Sequence, residues 1–384
     1  MEFTTLYNLY KQEGISGRYI HNTDIDPVLA QLSPVFKHVE LGHSVEGRLI
    51  KGLHYGTGSF KILMWSQMHG NESTTTKALL DFINFLDSDT PEAQEIASNF
   101  SLFIIPILNP DGAYAYTRIN ANQVDLNRDS VDLSQPESKI LRNQIESFAP
   151  DLCLNLHDQR TIFGTLGHKK PATVSFLSPS FNESRDINNV RTLAMQLIAC
   201  MDEDLQTYIP NQVGRFDDGF NINCIGDMCT HLGIPTILFE AGHFEGDYQR
   251  EQTRKYIFYS YISLFNALLS KNYVNKEIAD YLRIPENTKS FFDILYKNFQ
   301  INVGGLKKSF NFAVQFQEKL IENDIIFDAK IAQIDNLENS YGHIEYDMQN
   351  FELSDSQYDM IKIESSANFN FEENIKIVNG LLIK

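Results

Sequence analysis

Five short runs of almost unbroken apolar residues set the tightest limit on how this 384-residue chain folds: FKILMW (60 to 65), LFIIPIL (102 to 108), LCLNLH (152 to 157), TVSFLS (173 to 178) and PTILFEA (235 to 241). A strand covered on one face alternates apolar with polar residues. A strand that is apolar on both faces is buried on both, the pattern of parallel strands packed between helices. Helical spacing fills the gaps: Leu79, Leu80, Phe82, Ile83 and Leu86 after the first run, Ile140, Leu141, Ile145 and Phe148 before the third, and the segments 187 to 206 and 247 to 270. Strand, helix, strand in this order predicts an α/β domain on a largely parallel central sheet. The character changes after about residue 271. Residues 277 to 299 read as helix in two short pieces split by Pro285, and from Phe310 the alternating runs SFNFAVQF, IIFDAKIAQI and IKIVNGLLI read as a small, mainly antiparallel β appendage. The expected division is a catalytic domain over 1 to 270 and a helical connector with an accessory β domain over 271 to 384.

Charge narrows the function classes. Thirty-two basic against fifty acidic residues give a net charge of −18, which disfavours nucleic acid and anionic membrane, because phosphate recognition needs clustered Lys and Arg. No apolar run is long enough to span a bilayer, and MEFTTLYNLYKQEG lacks the basic start and apolar centre of a signal peptide. The expectation is a soluble, cytoplasmic protein. Cys153, Cys200, Cys224 and Cys229 form no CxxC pair, so reduced, mostly buried thiols are expected rather than disulfides or a thiolate zinc framework.

In an open α/β sheet, ligands bind where strands end at their carboxyl edge. His69 and Glu72 follow the first apolar run, NPDG (109 to 112) the second, His157 and Asp158 end the third, and Glu240 lies in the last run just before AGH. One sheet edge can therefore gather two His and two Glu. That composition suits zinc: His nitrogens and a carboxylate as ligands, an open position, and a spare carboxylate as base. Glu240 stands out because it is carried within an apolar run, where an unpaired charge costs several kcal/mol. Glu240 and His243 also form an ExxH pair that could itself supply ligands, so a rival ligand set is open at this point.

Six blocks in order, GHSVEGR (42 to 48), MHGNE (68 to 72), NPDG, TRINANQVDLNRD (117 to 129), LNLHD (154 to 158) and TILFEAG (236 to 242), resemble the zinc carboxypeptidase (metallocarboxypeptidase) family over about residues 40 to 270. The resemblance implies an α/β/α sandwich on a mixed sheet and one zinc per chain. It implies His69, Glu72 and His157 as zinc ligands, Glu240 as general base, and Arg118 as the cation that polarises the scissile carbonyl. Asn127 and Arg128 correspond to the pair that holds a substrate's terminal carboxylate, and Asp125 to the acid that orients the first His ligand. Arg128 suits that task chemically, since its planar fork binds a carboxylate bidentately.

Three features depart from the family's digestive enzymes. Asn71 stands between the HxxE ligands where those enzymes have an arginine that contacts substrate. The spelling HGNE is also similar to the succinylglutamate desuccinylase and aspartoacylase branch and to amidases of cell-wall peptides. The stretch from Arg118 to Asn127 is shorter, and RFDDGFN (215 to 221) lies where a substrate-capping tyrosine is expected but has none, leaving Tyr208 and Tyr248 as candidates. The expected activity is zinc-dependent hydrolysis of an amide next to a free carboxylate, with a carboxypeptidase acting on peptides first. An N-acyl amino acid deacylase or cell-wall peptide amidase is the alternative, and a non-catalytic zinc or peptide-binding module comes last.

Overall fold

The structure is a computed structural model that describes residues 2–335, 337–372 and 375–383. An eight-stranded sheet organises the first part of the chain: β1 (Lys37–His43), β2 (Leu49–Tyr55), β3 (Phe60–Ser66), β4 (Phe100–Ile105), β5 (Leu152–Asp158), β6 (Val174–Leu177), β7 (Val213–Arg215) and β8 (Thr236–Ala241). Their spatial order is β1-β2-β4-β3-β5-β8-β6-β7. The four central strands β4, β3, β5 and β8 run parallel, while β1, β2 and β6 pair antiparallel with their inner neighbours and β7 runs parallel to β6.

Alternate residues of the same strand enter different cores, which explains the unbroken apolar runs. Ile62 and Met64, Leu102 and Ile104, and Leu154 and Leu156 pack with helices α1 (Thr74–Leu86), α4 (Asn189–Gln206) and α6 (Glu251–Ser270). Leu63 and Trp65, Phe103 and Ile105, and Cys153 pack with α3 (Pro136–Phe148) and α5 (Ile225–His231). Both faces are therefore dry and helix-covered, giving the α/β/α sandwich. The short helix α2 (Pro110–Ala115) follows β4. The hairpin β1–β2 escaped the apolar-run reading because KHVELGH is mostly solvent-accessible and LIKGLHY is broken by Lys51, Gly52 and His54. All four cysteines are free thiols, three of them buried.

The chain divides into two compact units, Met1–Gln159 with Thr165–Asn287, and Arg160–Gly164 with Thr288–Lys384. The second contains β9 (Phe291–Val303), β10 (Leu306–Ile321), β11 (Asp324–Ile334) and β12 (Tyr341–Asp347) in the order β11-β10-β9-β12, with Glu352–Leu353 added to β9, and a separate three-stranded sheet over 369 to 383. Its excursion Arg160–Gly164 is held by Gln315, which donates to Thr161 Oγ1 at 2.7 Å, and by His343, whose Nε2 lies 2.8 Å from the Thr161 carbonyl.

The expected second helical piece before residue 299 is wrong. Only Ile278–Leu282 is helix there, and Phe291–Val303 is a 13-residue strand. A bulge is the reason. The register of β9 against β10 shifts between Tyr296 and Phe299, where Asn298 takes a φ of 62°. One extra residue changes the phase of the alternation, so Ile294, Tyr296, Phe299 and Ile301 share one core. A step of three inside a period of two imitates helical spacing.

Candidate metal centre

The loop after β3 is shaped by its neighbours. A Cβ on Gly70 would lie 1.9 Å from the carbonyl carbon of Gly112, so the backbone of the HGNE turn touches that of α2 and only glycine fits. Asn109 caps α2 by accepting from Gly112 N–H at 2.9 Å and donates to the Met68 carbonyl at 3.2 Å. Asp111 accepts from Ser44 Oγ, Glu46 N–H and Arg48 Nη1 at 2.7 to 2.9 Å. The blocks GHSVEGR and NPDG are thus the scaffold that aims His69.

His69, Glu72 and His157 are buried and converge. His69 Nδ1 lies 2.9 Å from Glu72 Oε1, His157 Nδ1 lies 2.9 Å from Glu72 Oε2, and the two Nδ1 atoms are 3.0 Å apart. Two imidazole nitrogens that close cannot both present lone pairs without a proton or cation between them. The spacing approaches the roughly 3.3 Å that separates tetrahedral ligands on zinc with bonds of ~2.0–2.1 Å. His69 Nε2 lies 3.0 Å from Asp125 Oδ1, which assigns the ring proton to Nε2 and leaves Nδ1 as the ligand atom. His157 Nε2 is buried without a hydrogen-bond partner, so its outward nitrogen is Nδ1 as well. The donor set fits a single zinc. Among the described residues no other cluster of this kind occurs, and the rival Glu240 and His243 do not join it.

Electrostatics follow from this crowding. Burial would lower both histidines. It prevails for His157, which is held below its ordinary value, whereas the Glu72 charge and the Asp125 hydrogen bond keep His69 above its own. Burial would raise Glu72 and Asp125, but the histidines outweigh it for Glu72, and His69 with Arg118 for Asp125, so both stay well below the usual carboxylate range. A neutral His157 and ionised Glu72 are the ligand forms a cation needs. Arg118, on the exposed side, donates from Nη1 to Glu72 Oε1 at 3.2 Å and from Nε to Asp125 Oδ2 at 3.1 Å.

Glu240 pairs with His157 in the β5–β8 register, so the two side chains leave the sheet on the same face. Glu240 is half-buried, yet its Oε2 is shut off from solvent and has no partner. Burial, then the nearby charges of Glu72 and Asp158, push its carboxyl well above the ordinary range. A carboxyl so placed has strong proton affinity next to the metal residues.

Asp125 also begins the turn Leu126–Arg128, accepting from Asn127 N–H at 2.9 Å. Asn127 Oδ1 accepts from Ile225 N–H at 3.0 Å, so its NH2 group is the end available to donate. The Arg128 side chain is exposed and donates from Nη1 to the Asn127 carbonyl at 2.6 Å. Asn71 is held by its N–H on the Thr117 carbonyl at 3.2 Å, and its half-buried side chain has an Oδ1 without a partner. Of the tyrosine candidates, Tyr208 packs between Phe3 and Tyr259 at the N-terminal helix, and Tyr248 packs against His243.

Two residues at this edge were given no role by the sequence reading. Asp158 accepts from the first N–H groups of α1. Arg250, buried and in the left-handed region at φ 61°, donates to the carbonyls of Gln159, Ala241 and Gly242 and ties the ends of β5 and β8 together. Asp158 had a signal in its place beside His157. An arginine in GDYQRE offers none.

A family model described as zinc carboxypeptidase matches residues 22–133, the part holding His69, Glu72, Arg118, Asp125, Asn127 and Arg128. Carboxypeptidase 2 of Trichophyton tonsurans is 25% identical over 146 residues, covering 37% of this chain and 27% of that protein. Carboxypeptidase SOL1 of Arabidopsis thaliana is 36% identical over 103 residues, or 23% of this chain and 21% of that one. The chain therefore spans only about a quarter of these relatives' length. In fold it is similar to a metallo-carboxypeptidase from Pseudomonas aeruginosa in complex with (2-guanidinoethylmercapto)succinic acid, with a TM-score of 0.53 at 16% identity over 64% of this chain and 68% of that one. It is also similar to a metallo-carboxypeptidase from Burkholderia cenocepacia, with a TM-score of 0.50 at 21% identity over 65% and 67%. The chain is thus similar to the zinc carboxypeptidase family over residues 22–133, and it carries a buried His, Glu, His cluster fit for one zinc.

Proposed function

We propose that the protein is a zinc-dependent carboxypeptidase that hydrolyses the amide bond next to a free carboxylate. The observation that carries this reading is Glu240, whose buried, partnerless Oε2 stands one strand from His157 on the same face. Zinc held by His69, Glu72 and His157 would supply Lewis-acid polarisation of the carbonyl and activation of water at neutral pH. Glu240 takes the proton of the attacking water and returns it to the leaving amine. Arg118, exposed beside Glu72, offers its guanidinium to the negative charge that develops on the carbonyl oxygen. Arg128 and the donating amide of Asn127 hold the substrate carboxylate, and Asp125 keeps His69 in the tautomer that presents Nδ1 inward. Asn71, half-buried with an unpartnered Oδ1, lies beside the ligands as a further polar contact for substrate.

Asn71 also supports the second reading, an N-acyl amino acid deacylase or cell-wall peptide amidase, since a neutral amide stands where the digestive enzymes have an arginine that contacts substrate. One experiment separates them. The zinc-loaded protein is incubated with peptides having free or amidated C-termini, with N-acyl amino acids and with cell-wall peptides, and products are read by mass spectrometry. Loss of single C-terminal residues from free-acid peptides alone supports the carboxypeptidase. Turnover confined to N-acyl amino acids or cell-wall peptides moves the assignment to the second reading, and no turnover of any substrate removes both.

A further inference from the structure

Asp158 follows the ligand His157 at the end of β5, is buried, and has no part in the hydrolytic steps above. Its Oδ2 accepts from Thr74 N–H at 2.9 Å and its Oδ1 from Thr75 N–H at 3.2 Å, the first two residues of α1. Its own N–H donates to Glu72 Oε2 at 3.1 Å, the oxygen that faces His157 Nδ1. The N–H groups of a helix's first turn have no partner inside the helix, and the preceding residue's side chain usually supplies one. Here that residue is Ser73, and it caps nothing: its hydroxyl donates to the Arg18 carbonyl at 2.6 Å. The acceptor has come from a different strand.

The geometry points to Asp158 as a positioning residue of the metal centre. It locks the start of α1, and with it Glu72 two residues upstream, to the strand that carries His157. Three ligands on two chain segments must keep their spacing to a few tenths of an ångström to hold zinc. Asp158 binds those segments together through both its side chain and its main chain. If the cap is lost, the first turn of α1 is free to fray and the Glu72 carboxylate loses its fixed distance from His157. The inference rests on His69, Glu72 and His157 being the zinc ligands, and is independent of which substrate is cleaved.

The test is zinc affinity, measured by competition with a chromophoric chelator, alongside the melting temperature of the zinc-free protein. Asp158→Ala removes both acceptors and is expected to weaken zinc binding roughly 10- to 100-fold, the range for residues that orient metal ligands. Asp158→Asn keeps the shape and one acceptor and should fall between. The control is Asn188→Ala, which removes the side chain that caps α4 by accepting from Arg191 N–H at 3.0 Å. It should lower the melting temperature and leave zinc affinity unchanged. Asp158→Asn with affinity within twofold of wild type overturns the proposal, whether or not the alanine variant folds, and so does an equal loss of affinity in the Asn188→Ala control. Failure of the ligand assignment itself is read separately, as unchanged zinc affinity in His157→Ala.

Discussion

Replacing Glu240 by Gln tests the proposed chemistry most directly. The substitution keeps length, shape and a carbonyl oxygen while removing the ability to accept a proton. Glu240 Oε2 has no hydrogen-bond partner, so no bond of about 1 kcal/mol is lost from the folded state. The proposed ligands His69, Glu72 and His157 are held by one another and by Asp125, not by Glu240. Zinc content and melting temperature should therefore stay near wild type. The rate should not. Loss of general acid–base catalysis is typically worth ~10² to 10⁴, or ~3 to 5 kcal/mol at about 1.4 kcal/mol per tenfold. In the proposed mechanism one carboxylate serves both proton transfers, so the upper end is expected. Zinc content, melting temperature and kcat are measured on one preparation. A folded, zinc-loaded Glu240→Gln variant with kcat within a few-fold of wild type refutes the base assignment. A Glu240 kept only for stability gives another pattern, a lower melting temperature with activity tracking the folded fraction.

Other outcomes follow from particular contacts. His157→Ala should lose the single zinc measured by metal analysis while His243→Ala retains it, and the reverse result would restore the ExxH ligand set. Arg128→Ala should cut kcat/KM on free-acid peptides by the equivalent of about 2 kcal/mol or more, as when one partner of a desolvated charge pair is truncated; equal wild-type turnover of free-acid and amidated peptides counts against this role. Asp227, buried in the first turn of α5, has its carboxyl pushed by burial from 3.8 up to about 6. With the folded value above the unfolded one, its contribution to stability is full below about pH 4 and is lost as pH rises through 6, at most about 3 kcal/mol for two pH units. Asp227→Asn should flatten denaturant-derived stability across that window, and wild-type and variant curves that run parallel would exclude the effect.

What was legible in the sequence follows from where the information sits. The central strands β3, β4, β5 and β8 were readable because both their faces are buried, so every residue reports its environment. The hairpin β1–β2 was not, because an accessible edge admits Lys, His and Glu and loses the apolar signature. In β9 the pattern was present but misread, since the bulge at Asn298 turns a period of two into apparent helical spacing. Chain order alone does not place His157 beside His69 or Glu240. The rule that sites form at the carboxyl ends of parallel strands does, and the β3–β5 and β5–β8 registers bring these residues together.

The residues whose roles the sequence does not show share a physical feature. In the proposed reaction His69, Glu72, His157, Arg118 and Glu240 act through the chemistry of their side chains, so residue type and spacing suffice to nominate them. Asp158 and Arg250 act on main-chain groups, the N–H groups of Thr74 and Thr75 and the carbonyls of Gln159 and Ala241. Every residue offers a carbonyl and nearly every one an N–H, so the partners of such contacts leave no mark in the sequence. The consequence reaches beyond recognition. A chain could keep all six blocks and still hold zinc poorly if the acid after LNLH were replaced, because the blocks specify which atoms meet the metal, whereas the cap from β5 to α1 specifies how firmly Glu72 and His157 are held together.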